Sequence, residues 1–115
     1  MEIRRLQPGK RMSQAVVHNG TVYLAGQVAD DTNQDVAGQT RQVLASIDAL
    51  LKEAGSDKTK ILTATIVLKD IATFADMNSV WDGWVAPGHT PARATIEANL
   101  AAPQYRVEII VTAAI

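Results

Sequence analysis

Residues 13–25 read SQAVVHNGTVYLA, two β-prone runs, Ser13 to His18 and Thr21 to Ala25, either side of Asn19-Gly20. That dipeptide is the strongest short signal for a two-residue hairpin turn, because Asn and Gly tolerate the positive φ that both central positions require. The hairpin makes the protein a sheet builder, and the rest of the chain is read outward from it. Gly26 through Asp35 is rich in Gly, Asp, Asn and Thr without periodicity, so it is a loop leaving the sheet. From Val36 the apolar residues fall at Val36, Val43, Leu44, Ile47, Leu50, Leu51 and Ala54, the spacing of a one-sided helix, and Gly55 offers a left-handed stop.

Lys60 to Leu68 alternates Leu62, Ala64, Ile66 and Leu68 against Thr63, Thr65 and Val67, a β-branched pattern that predicts a strand. Thr73 with Asp76 three residues on resembles a capping box, and Phe74, Met77, Trp81, Trp84 and Val85 make the apolar stripe of a second helix, ended by Pro87-Gly88. Strands are then expected over Ala92 to Ala98 and Tyr105 to Ala114. The order ββαβαββ, with no linker or repeat, implies one domain over residues 1–115. Its architecture is two-layer α+β, both helices on one face of a mixed sheet.

The other sheet face receives Thr63, Thr65, Val67, Arg93, Thr95, Glu97, Arg106, Glu108 and Ile110, whose neighbours of opposite parity are apolar. A face mixing Thr, Val and Ile with both charges suits a subunit interface, so a homo-oligomer is expected. The last two strands, joined by the short segment Asn99 to Pro103, are expected to pair antiparallel. With Glu97 opposite Gln104, Arg93 falls opposite Glu108. That pair is either an anion-binding arginine beside a general base or a cross-strand ion pair in an interface.

Composition narrows the chemistry. The chain has 115 residues, 11 Lys and Arg against 12 Asp and Glu, a net charge of −1, and no cysteine. Scattered basic residues do not make the broad basic face that phosphate backbones require, so nucleic acid is not an expected partner. No apolar run approaches the about 20 residues that span a bilayer, and MEIRRLQPGKRMS lacks the core of a signal peptide. No membrane association and a cytoplasmic address are expected. Without cysteine there is no thiolate nucleophile, and His18 and His89 are too far apart in sequence to start a zinc site, so no metal is expected. His89 reads as loop exposure, His18 as a hairpin-tip residue, and Trp81 and Trp84 as core. Gly26-Gln27 lacks the partners of a phosphate loop, and Asp30, Asp31 and Asp35 are too irregular for a calcium loop.

The segments LAGQVADD, QTRQVLASIDALLKEAGS, ILTATIVLKDIATFADMNSVWDGWV, HTPARATIEANL and YRVEIIV together resemble the Rid (reactive intermediate deaminase), or YjgF-like, family over almost the whole chain. The resemblance implies a chorismate-mutase-like fold and a homotrimer with three clefts between subunits. In the deaminase branch it implies hydrolysis of reactive 2-imino or enamine acids to 2-keto acids and ammonia, with no cofactor. By position, Arg93 matches the family arginine that clamps the substrate carboxylate, and Glu108 matches the terminal-strand glutamate that positions or activates water. Asn78 matches the helix asparagine, and Gly26 and the Thr95 backbone fall where cleft-lining main chain is expected. The chain departs from the deaminase branch at Met12, where that branch has Tyr, at Ala25, where it often has Ser, and in a shorter loop after Gln27, which resembles a YoaB-like branch. The alternative to an enzyme is a non-catalytic trimer that binds small keto or amino acids in the same clefts. Action on RNA, described for some relatives, is a distant third at this net charge.

Overall fold

The computed structural model describes residues 2–115. The hairpin forms as its turn dictates: β2 (Ser13–His18) and β3 (Thr21–Leu24) pair with His18 opposite Thr21, and Asn19 and Gly20 take φ of 53° and 74°. Helix α1 spans Val36–Ala54. Asp35 caps its start by accepting a hydrogen bond from the Gly38 N–H, and Gly55, at φ 86°, ends it. Strand β4 (Ile61–Leu68), helix α2 (Phe74–Trp84), strand β5 (Ala92–Glu97) and strand β6 (Val107–Ala114) follow. A further strand, β1 (Arg4–Pro8), precedes them all and pairs antiparallel with β2. The expected order lacked it because RRLQP has no alternation: only Leu6 turns inward, and Pro8 is tolerated because the strand is an edge.

The six strands lie in the order β1-β2-β3-β6-β4-β5. All neighbours are antiparallel except β4 and β5, so the sheet is mixed. Both helices bury their apolar stripes on one face. Leu44, Ile47 and Leu51 of α1 and Met77 and Trp81 of α2 join Val22, Ile66, Leu68, Val107, Ile109 and Val111 in one core. Buried Gln39 of α1 ties irregular segments together: its amide donates to the carbonyls of Thr32, Gln34 and Gln104, and its oxygen accepts from the Arg106 N–H.

Three expectations are corrected. First, β5 and β6 are not neighbours. The β4-α2-β5 segment is a parallel crossover unit, which sets β5 beside β4, and β4 separates β5 from β6, so neither Arg93 with Glu108 nor Glu97 with Gln104 is a cross-strand pair. Second, β5 shows the opposite parity. Arg93 is in register with buried Ala64 and Thr95 with buried Ile66, so Arg93, Thr95 and Glu97 face the helix side, while Ala94 and Ile96 face the open side. Leu62, expected inside, is 49% exposed because β4 carries one extra residue where its register against β6 shifts between Ile61 and Thr63. Third, Thr73 makes no side-chain cap for α2. Asp70, one turn earlier, accepts from the Ala72 N–H and caps a short 3-10 turn, Ile71–Thr73, that runs into the helix.

Candidate functional site

Two groups of the expected site residues stand apart on this frame. The first is centred on Arg93, the second residue of edge strand β5. Phe74, Asn78 and Trp81 lie at i, i+4 and i+7 on α2 and therefore share one helix face, turned towards β5. The Arg93 Nη1 donates to Asn78 Oδ1 at 2.8 Å. Its guanidinium carbon lies 5.2 Å from the centre of the Trp81 ring and 5.8 Å from that of Phe74. Both distances are within the range of cation–π attraction.

The backbone of β5 adds donors. Ala98 N–H donates to the Leu68 carbonyl, and parallel pairing engages alternate residues, so the even-numbered residues of β5 bond inward to β4. The N–H and C=O groups of Arg93 and Thr95 consequently point outward along the free edge. The Thr95 hydroxyl oxygen is buried and has no hydrogen-bond partner.

The second group is centred on Glu108 of β6. Glu108 is half-buried and in register with Val67, on the face away from the helices. Gly26 sits against it: a Cβ added there would lie 2.2 Å from Glu108 Oε2 and 2.8 Å from its Cδ. Gly26 is followed by Gln27, which exchanges two backbone hydrogen bonds with Ile109, at 2.9 and 3.1 Å. The backbone at Gly26 is not in the left-handed region, so what glycine provides here is room for the Glu108 carboxylate.

Within one chain the two groups cannot share a small ligand. Ile96 is the β5 residue level with Glu108, two strands over, and Arg93 is three residues further along, on the opposite sheet face. That is roughly 14 Å by strand spacing and rise. Met12 lies apart from Arg93. It is 51% exposed in the β1–β2 connection, and with Gln7, Lys10, Arg11 and Gln14 it lines a concavity of about 600 Å³ at the other edge of the sheet from β5.

The roles of Phe74 and Trp81 at Arg93 were not read from the sequence. Trp81 is core, as its position on the stripe suggests, and yet the same ring stacks on the arginine. The i, i+4, i+7 spacing carried the signal, and it becomes readable only once β5 is known to lie under α2. His89 is exposed. His18 contacts Asn19 beside the turn, and the Trp84 indole donates to Asp48. Among the described residues no cluster of His, Asp or Glu could hold a metal ion, and no helix is long and apolar enough to cross a membrane.

The mixed sheet with two helices on one face is shared with solved proteins of the YjgF type. The chain belongs to this Rid, or YjgF-like, family, and the family model described as Endoribonuclease L-PSP matches residues 2–115. It is similar to the RutC family protein YoaB of Escherichia coli (strain K12), 46% identical over the whole of both chains. A solved member of the YjgF protein family from Neisseria meningitidis superposes with a TM-score of 0.97 at 50% identity, covering 99% of this chain and 95% of that one. The 2-iminobutanoate/2-iminopropanoate deaminase of Rattus norvegicus is 32% identical over 103 residues, 84% of this chain and 74% of that protein.

Proposed function

We propose that this protein is a cytoplasmic, cofactor-independent hydrolase of small reactive 2-imino and enamine acids. It works as a homotrimer whose clefts take Arg93 from one copy and Glu108 from the next. The separation of Arg93 and Glu108 carries this reading. Each has its own supporting partners, Asn78 for one and Gly26 for the other, yet within a chain they are too far apart to serve one substrate. The open sheet face supports the assembly. Val16, Tyr23, Ile110, Val67 and Ile96 intersperse with Thr63, Thr65 and Thr112 across five strands, a semi-apolar surface of the kind that subunits cover. The relative named as an imine deaminase supports the chemistry.

In this mechanism the Arg93 guanidinium holds the substrate carboxylate by two charge-assisted hydrogen bonds, supplemented by the outward N–H of Thr95. Glu108 takes a proton from a water as its oxygen attacks the imine carbon, and the proton passes to nitrogen. Glu108 then takes the proton of the new hydroxyl and passes it to the amine nitrogen, so that C=O forms as the C–N bond breaks and ammonia leaves. The imino acid and water are thereby converted to a 2-keto acid and ammonia. Met12, where the deaminase branch has Tyr, lines the cleft beside the substrate's side chain.

Subunit complementation tests this. Arg93→Ala and Glu108→Gln chains are each expected to be inactive on imino acids generated in situ. Refolded together in equal amounts, they should recover roughly a quarter of native activity, because that fraction of clefts receives both native residues. No recovery in verified mixed trimers would sink the shared cleft. If the native protein releases no keto acid above the uncatalysed rate while Arg93→Ala abolishes keto acid binding, the protein is a carboxylate binder.

A further inference from the structure

We propose that Asn78, Phe74 and Trp81 are positioning residues that hold the Arg93 guanidinium in a fixed plane, with its Nε–Nη2 edge free for a carboxylate. This rests on the reading of Arg93 as the carboxylate clamp, and it assigns Asn78 a role through the arginine in place of direct substrate contact. Three observations converge on it.

The first is the hydrogen bond from Nη1 to Asn78 Oδ1 at 2.8 Å, which engages one end of the guanidinium and leaves the donors on the Nε–Nη2 edge. The second is the pair of rings at 5.2 and 5.8 Å, which restrict the side chain to orientations that keep the cation against them. An exposed arginine is otherwise rich in rotamers, and freezing it in advance removes that entropy from the binding step. The third is the chemistry of the acceptor. Asn78 is neutral, so it orients Arg93 without cancelling the charge that attracts an anion, whereas a carboxylate at this position would orient and neutralise it together. Trp81 is anchored in the core, which makes one wall of the slot rigid.

Removing the acceptor without adding charge gives the test. Asn78→Leu keeps the approximate size but cannot accept from Arg93 Nη1, so a merely space-filling role predicts unchanged pyruvate binding. The positioning role predicts pyruvate binding about ten-fold weaker by titration calorimetry, with a melting temperature unchanged or raised. Phe74, 38% exposed, can be altered without opening the core. Phe74→Leu should weaken pyruvate binding by roughly three-fold to ten-fold, and Phe74→Tyr should restore it to within about two-fold. Arg93→Lys, measured alongside, should lose most binding, because lysine lacks the coplanar donors. If Arg93→Lys loses binding while Asn78→Leu and Phe74→Leu bind as the native protein does, positioning is refuted and the carboxylate clamp stands. If Arg93→Lys binds normally, or the native protein binds no pyruvate, the clamp itself is overturned.

Discussion

At the scale of single residues, Gly26 and Arg93 show how a position can be constrained by its neighbour's chemistry. Gly26 adopts a backbone any residue could take, yet a methyl group there would occupy the place of the Glu108 carboxylate. The obstructing atoms are the far end of a flexible side chain, so Gly26→Ala should cost little stability, with a melting temperature within about 3 °C of native. Glu108 would swing aside. Because a displacement of about 1 Å is costly to a positioned base, turnover of imino acids should fall by roughly ten-fold or more. Parallel thermal melts and coupled assays would check both halves. Native turnover in a well-folded Gly26→Ala protein would remove Glu108 from the mechanism. Arg93 presents the converse case, a residue whose surroundings hold it in place and leave its outer edge open.

At the scale of elements, helix α1 does more than cover the sheet. Gln39 lies on its buried side and satisfies the carbonyls of Thr32, Gln34 and Gln104 and the N–H of Arg106, drawing the loop before α1 and the segment before β6 onto the helix. Replacing it by leucine matches its size but leaves four part-buried backbone groups without this partner, and a fully desolvated group of this kind costs about 1–3 kcal/mol. Gln39→Leu should therefore lower stability by roughly 2–4 kcal/mol in urea denaturation, and a change under about 0.5 kcal/mol would contradict this account of the helix. Helix α2 has a different task. By carrying the chain from β4 back to a parallel β5, it places its own Phe74–Asn78–Trp81 face above the edge strand, which is how Arg93 acquires its partners.

For the whole molecule, the helices bury one face of the sheet and leave the other open. On that open face Ile110 and Ile96 are 37% and 48% exposed, in a field of threonine and valine. A contiguous semi-apolar patch on one sheet face marks an interaction surface, and association would cover it. Sedimentation should return three copies of the 12.3 kDa chain at micromolar concentration. Ile110→Asp, which sets a charge in the centre of that face, should shift the protein towards monomer and abolish activity together. A monodisperse native monomer would end both the trimer and the shared cleft.

Most elements of this protein, β1 excepted, are written locally in its sequence. Asn19-Gly20 fixes the hairpin, the apolar spacing from Val36 to Ala54 with Gly55 fixes the first helix, and β-branched alternation marks Ile61–Leu68 as a strand. These signals operate within a few residues, where backbone sterics and side-chain period act directly. Family membership was also legible, through motifs spread over almost the whole chain, and by position those motifs single out Arg93, Asn78 and Glu108 as candidates. The neighbours of each strand were not. Alternation gives a strand two faces without saying which one meets the helices, and in ARATIE both parities are weak: Ala, Ala and Ile against Arg, Thr and Glu. Only the insertion of β6 between β3 and β4, and the parallel crossover through α2, decided that Arg93 turns to Asn78 and away from Glu108. Those contacts join residues far apart in sequence. They are selected by the packing of the whole core, which no local pattern encodes.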